Sequence, residues 1–132
     1  MKDKETMFPI FLEGEVVHGK ALGRTVGMPT ANLCITSGEL PELGVYATRI
    51  ELDGCIYDSV TNIGKRPSVD ESEHVTVETY ILDFSGEIYG KTVRLEICKF
   101  LRPVMRFASL KAVREQVEKD ILEAKSYFKT KE

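Results

Sequence analysis

The sequence predicts a mainly β domain: an antiparallel sheet, most economically closed as a small barrel, with one amphipathic α-helix at its C-terminal end. Three observations carry this. Short runs of β-forming residues follow one another with hairpin-length connections and no helical pattern between them. Turn dipeptides, Asp53-Gly54 and Ser85-Gly86, fall between runs that alternate. The apolar period changes to three or four only after residue 109.

Taken in order, "IFLEGEVV" (Ile10–Val17) is the opening strand and runs into a glycine-rich stretch. "GVYATRIELDG", beginning at Gly44, alternates with Val45 and Ala47 on one side. Asp53-Gly54 has the residues of a type I′ hairpin, and "CIYDSVTNIG" returns from it. "NIGKRPSVDESEH" (Asn62–His74) mixes glycine, proline and charges without a period. It reads as a loop, long by hairpin standards. "VTVETYILDF" (Val75–Phe84) is a long strand, apolar on both faces. After Ser85-Gly86, "TVRLEICKFL" (Thr92–Leu101) comes back with Val93, Leu95 and Ile97 on one side. Ser109 is then a natural N-cap. Leu110, Val113, Val117, Ile121, Ala124 and Phe128 form a helical stripe that could close an end or side of the barrel. Lys125, Lys129 and Lys131 suit the negative end of the helix dipole. The barrel is expected over about 8–102 and the helix over about 109–128, in a single domain covering residues 1–132.

Composition excludes several classes of function. A chain of 132 residues, 42% hydrophobic and 30% charged, is that of an ordinary globule able to bury a core without disulfides. The net charge of -3 argues against broad nucleic-acid binding, which needs a dominant basic face. No apolar run approaches the roughly 20 residues of a membrane span. The start "MKDKETMF" lacks the apolar core of a signal peptide, so a cytoplasmic location is expected. Cys34, Cys55 and Cys98 are too scattered for a disulfide framework or a Cys-x-x-Cys site and read as buried or half-buried thiols. His18 and His74 lie far apart, which leaves no transition-metal site.

One near-motif fails. "GEVVHGKA" (Gly14–Ala21) has the glycines and lysine of a P-loop, but Ala21 offers no hydroxyl to magnesium, and no helix follows to hold phosphates. "GRTVGMPTANL" (Gly23–Leu33) is more informative. Gly19, Gly23 and Gly27 permit sharp turns whose N–H groups can converge on an anion. Thr30 and Asn32 are two apart and, if extended, point to one face. Their hydroxyl and amide oxygens are the hard donors that Mg²⁺ accepts beside water and phosphate. The competing reading is that both merely satisfy nearby backbone groups. Glu78 is similarly double-valued. On its strand it shares a face with Tyr80, Leu82 and Phe84, and an apolar setting raises a carboxylate toward general-base strength. A solvated or salt-bridged glutamate at the barrel rim is the alternative.

"GEVVHGKALGRTVGMPTANL" resembles the signature of riboflavin kinases, the flavokinase domains that also form the C-terminal part of bacterial bifunctional FAD synthetases. The resemblance continues through "GVYA", "TNIGKRP", "VETYILDF", "IYGKTVRLEICKFLRP" and "FASLKAVREQVEKDI", and so covers nearly the whole chain. It implies a six-stranded Greek-key barrel with a C-terminal helix. It also implies transfer of the γ-phosphate of ATP to the ribityl 5′-hydroxyl of riboflavin, giving FMN and ADP with Mg²⁺. Thr30 and Asn32 then correspond to the metal and phosphate ligands, and Glu78, in the "VET" position, to the catalytic base. Nucleotide or flavin contacts are implied at Gly19, Gly23, Arg24, Gly27, Pro29, Asn62, Gly64 and Arg102, with Arg102 on the flavin side. The glycine loop His18–Met28 and Asn62–His74 would be two flaps, and Lys65 and Arg66 could approach phosphates. Val104, Ala108 and Met28 depart from the family's commoner glutamate, aspartate, and phenylalanine or isoleucine.

Two readings of other classes compete with the kinase. A non-catalytic flavin- or nucleotide-binding barrel would not need Glu78 together with Thr30 and Asn32. An oligonucleotide-binding barrel would need a basic aromatic strip that the sequence lacks. These 132 residues hold no nucleotidyltransferase domain, so FMN and not FAD is the expected product.

Overall fold

A computed structural model describes residues 8–17, 30–67, 73–84 and 86–131. Its elements are strands β1 (Ile10–Val17), β2 (Thr30–Ser37), β3 (Gly44–Leu52), β4 (Cys55–Pro67), β5 (Glu73–Ile81) and β6 (Thr92–Arg102), then helix α1 (Leu110–Lys131). The strands close as an antiparallel barrel in the order β1-β2-β5-β4-β3-β6. Strands β3, β4 and β5 follow one another as neighbours, and β6 returns beside β3, which is the Greek-key arrangement. Closure leaves no unpaired sheet edge.

The Asp53-Gly54 hairpin forms as its residues dictate. Leu52 pairs with Cys55, and the two turn residues take φ of 53° and 80°. Ser109 caps the helix: the Ala112 N–H donates to its Oγ at 3.1 Å.

The long connection expected over Asn62–His74 is corrected. Strand β4 continues to Pro67 and β5 begins at Glu73, with an unbroken register from Asn62↔Glu78 to Pro67↔Glu73. Polar residues there pair across strands that no hydrophobic alternation announces. Strand β5 also ends sooner than expected. Leu82 and Asp83 turn after Ile81, with Asp83 at a φ of 56°, so Leu82 and Phe84 do not continue the face that carries Glu78. Phe84 instead meets the Tyr57 ring edge-on at 5.1 Å and packs against the barrel core.

Alternation sorts the side chains into two layers. Leu12, Val16, Ala31, Leu33, Tyr46, Ile50, Ile63, Val77, Ile81, Leu95 and Ile97 fill the barrel. Buried hydroxyls also occupy inward positions, a feature the pattern of apolar residues does not announce. Thr48 bonds Ser59 at 2.7 Å and Thr61 at 2.8 Å, and Thr61 bonds Thr79 at 2.8 Å. This ladder ties β3, β4 and β5 together and satisfies polar groups that would otherwise be costly to bury.

Helix α1 closes a side of the barrel, not an end. Val117, Ala124 and Phe128 cover Val45, Ala47, Val60 and Tyr80 on the outer faces of β3, β4 and β5, with Val113 and Ile121 packed alongside. Leu110 does not join this stripe and is exposed, because it lies in the first turn beyond the edge of the contact.

The cysteines require a correction as well. Cys34 and Cys55 are exposed, at an outward position of β2 and at the hairpin, and only Cys98 is half-buried. Burial first, and then the Glu96 charge, pushes the Cys98 thiol up to about 11.

Candidate active site

The site is built on the outer face of the barrel, where strands remote in sequence lie side by side. On β2 the inward positions are Ala31 and Leu33, which turns Thr30 and Asn32 outward. On β5 the inward positions are Val77, Thr79 and Ile81, which turns Glu78 and Tyr80 outward. Register then makes the constellation. Asn32 pairs with Glu78, Glu78 with Asn62, Asn62 with Val45, and Val45 with Arg102. One row thus crosses five strands: Asn32, Glu78, Asn62, Val45, Arg102. The next row holds Thr30, Tyr80, Val60 and Ala47.

Glu78 is only 5% exposed although it faces outward. Its cross-strand neighbours are two carboxamides, not the apolar side chains expected from Leu82 and Phe84. Thr30 and Asn32 are half-buried, and the polar atoms of neither side chain are spent on the backbone of the described residues. The hydroxyl and the amide face the same side as the Glu78 carboxylate, which makes an oxygen-only donor set. Among the described residues, no group of three or more His, Cys, Asp or Glu side chains gathers to hold a metal. This chemistry fits a hard cation that takes most of its ligands from phosphate and water.

Beyond Asn62 the row opens into a cavity of about 120 Å³. The sheet contributes Val45, Val60, Asn62, Tyr80 and Arg102, the helix Val113, Val117 and Asp120, and the connecting segment Met105 and Phe107. Its walls are mostly apolar, with a few converging polar groups, the common make-up of a small-molecule site. Burial pushes the Tyr80 phenol up to about 12, the Glu78 and Asp120 charges add to this, and Arg102 offsets it in part. Tyr80 therefore remains a neutral donor at neutral pH.

Arg102 lines this cavity with its guanidinium already held. Nε and Nη2 donate to the two Asp120 carboxylate oxygens, each at 2.8 Å, and Nη1 donates to the Pro103 carbonyl at 3.1 Å. Gln116 donates to the same carboxylate at 3.0 Å. The Phe107 ring lies 5.8 Å from the guanidinium carbon. Asp120 is not among the residues expected at the site. A signal for it existed: an acid three residues after Val117 and four before Ala124 falls on the buried stripe of the helix, where a charge needs a partner.

Several expected site residues are not in this assembly. Gly19, Gly23, Arg24, Gly27, Pro29 and Met28 lie outside the described residues, as does the rest of the glycine flap. Gly64 faces outward two residues beyond Asn62, where an added Cβ would lie 3.9 Å from Asn62 Oδ1 and from Val104 Cγ2. Lys65 is exposed on β4, and the side chain of Arg66 is not described. Val104 and Ala108 are exposed in the segment between β6 and the helix.

The family model and the curated relatives agree with one another. The riboflavin kinase family model, Flavokinase, matches residues 6–128. The chain is 40% identical over 123 residues to a bifunctional riboflavin kinase/FMN adenylyltransferase of Bacillus subtilis; the match covers 91% of this chain and 39% of that protein. The chain therefore spans about two fifths of the length of this relative. Among solved structures, a Streptococcus pneumoniae protein described as a macrolide-efflux protein matches with a TM-score of 0.82 and 34% identity, over 89% of this chain and 38% of that one. A riboflavin kinase from Trypanosoma brucei shares the fold at a TM-score of 0.62 and 23% identity, over 95% of this chain and 83% of that one. Among the described residues no helix is long and apolar enough to cross a membrane.

Proposed function

The chain belongs to the riboflavin kinase family, and we propose that it transfers the γ-phosphate of ATP to the ribityl 5′-hydroxyl of riboflavin, releasing FMN and ADP. The observation that carries this reading is the outer-face row in which Glu78 stands between Asn32 and Asn62, with Thr30 and Tyr80 in the adjoining row. We place this activity in the cytoplasm, where free thiols such as those of Cys34, Cys55 and Cys98 persist.

Phosphoryl transfer needs positioning, charge neutralisation and a group to accept the hydroxyl proton. Glu78 is the acceptor: its carboxylate takes the proton of the 5′-hydroxyl as that oxygen bonds to the γ-phosphorus and the bond to ADP breaks. The strands hold it rigidly, because β5 is hydrogen-bonded on both sides and tied beneath by Thr79 and Thr61. Thr30 and Asn32 would hold Mg²⁺, which when bound neutralises charge on the transferring phosphates. An edge of the isoalloxazine ring enters the apolar cavity, which at about 120 Å³ holds only part of a three-ring system. There Tyr80 offers a hydroxyl donor, and Arg102, held in plane by Asp120, offers a flat cationic wall.

Incubation with riboflavin and Mg-ATP is expected to give FMN and ADP, with no FAD on prolonged reaction of these 132 residues. Chromatography of the flavins checks it. FMN no higher than in a protein-free control would leave a barrel that binds without turnover.

Thr30→Ala and Asn32→Ala are expected to weaken Mg-ATP binding and lower turnover while circular dichroism and Tm stay near wild type. Neither side chain packs in the core, and neither holds the backbone of the described residues. Wild-type Mg²⁺ dependence in both variants would remove them from the metal site.

A further inference from the structure

A buried acceptor with nothing to accept from is the most informative polar atom near the cavity. Asn62 Oδ1 is shielded from solvent and receives no hydrogen bond from the described residues. Tyr80 and Arg102 line the same cavity, but neither donates to it. Val45 stands opposite on β3, Gly64 lies two residues on, and a methyl of Val104 is close by. Native folds rarely leave such a group unsatisfied; water, an ion or a ligand completes it. The position is specific as well: Asn62 is next to Glu78 across β4 and β5 and also lines the cavity. Directly opposed residues on one sheet face have Cβ atoms about 5 Å apart, roughly the reach from one hydroxyl of a polyol chain to another.

We propose that Asn62 is a specificity-determining residue that reads the polyol linking ring to reactive hydroxyl, accepting through Oδ1 a hydrogen bond from a secondary ribityl hydroxyl. This rests on the reading of the site as a riboflavin kinase and adds to it the group that distinguishes a ribityl chain from a plain alkyl alcohol. A hydroxyl is the matching partner. It donates to Oδ1, and it can accept from the Nδ2 of the same carboxamide. An alkyl chain would leave Oδ1 buried and unpartnered in the complex too, and sites built around such a bond reject substrates that lack it.

The test compares riboflavin with its 10-(5-hydroxypentyl) analogue, which keeps the ring and the primary hydroxyl and lacks the secondary hydroxyls. The wild type is expected to favour riboflavin in kcat/KM by about 10–100-fold, the range for a buried hydrogen bond against an unsatisfied group. Asn62→Ala should lose activity on riboflavin but little on the analogue, narrowing the preference to within about threefold. A merely structural role would lower both substrates alike. Asn62→Ser, a smaller change, is read the same way if the alanine variant does not fold. The ratio of binding constants for the two flavins, from quenching of flavin fluorescence, gives the same comparison without turnover. A wild type that makes no FMN would overturn the kinase reading alone. An unchanged preference in the variants, or no preference in the wild type, by either measure would overturn the role of Asn62 alone.

Discussion

Glu78→Gln is expected to yield a folded protein whose kcat is lower by roughly 10²–10⁴-fold, the usual contribution of a positioned proton acceptor. Glutamine preserves the shape of the side chain and one carbonyl oxygen, but it cannot take a proton at neutral pH. Strand register sets the row Asn32, Glu78, Asn62, so riboflavin and Mg-ATP affinities should change little and Tm should hold. The decisive measurement is kcat at saturating substrates, with chemistry shown to be rate-limiting by single-turnover kinetics. A glutamine variant with near wild-type kcat would make Glu78 a structural residue of the row and place the proton acceptor elsewhere.

Asp120→Ala should be the most damaging single change to stability among the site residues. The Asp120 side chain is 3% exposed, and it neutralises an Arg102 side chain that is itself only 16% exposed. Removing it strands the guanidinium and the Gln116 amide together. Breaking a buried pair from one side costs about 3–5 kcal/mol, a fall in Tm of roughly 10 °C or more for a domain of this size. Urea denaturation measures it. Replacing both partners, Arg102→Leu with Asp120→Leu, should recover most of the loss, because no charge is then left buried. If the single variant lost under about 1 kcal/mol, the value of an exposed pair, the contact between β6 and the helix would not depend on this ion pair. The double variant separates stability from function as well: it should fold while binding flavin more weakly, since the flat cationic wall of the cavity is gone.

How far such a site can be read in advance depends on the range of the interaction that makes it. The Asp53-Gly54 hairpin and the Ser109 cap involve residues close along the chain, and both form as their residue types dictate. Alternation is equally local, which is why Val93, Leu95 and Ile97 face inward as expected. It fails where polar residues pair. The stretch from Asn62 to Pro67 looks like a loop by composition and is a strand because β5 supplies its hydrogen bonds. The inward Thr48, Ser59, Thr61 and Thr79 break the expected apolar core because each finds a hydroxyl from another strand.

The sequence by itself determined the class of the domain and its family resemblance; it offered Thr30, Asn32 and Glu78 as candidates that residue types and spacings left open and the resemblance singled out. Only the tertiary structure decided that β2 lies beside β5, and therefore that Asn32 and Glu78, 46 positions apart in the chain, are direct neighbours. It alone supplied Asp120 as the partner of Arg102, and it alone set Asn62 between the carboxylate and the cavity. The physical reason is that strand order and register are chosen by burial and closure of the whole barrel, a long-range balance that no short stretch of the chain contains.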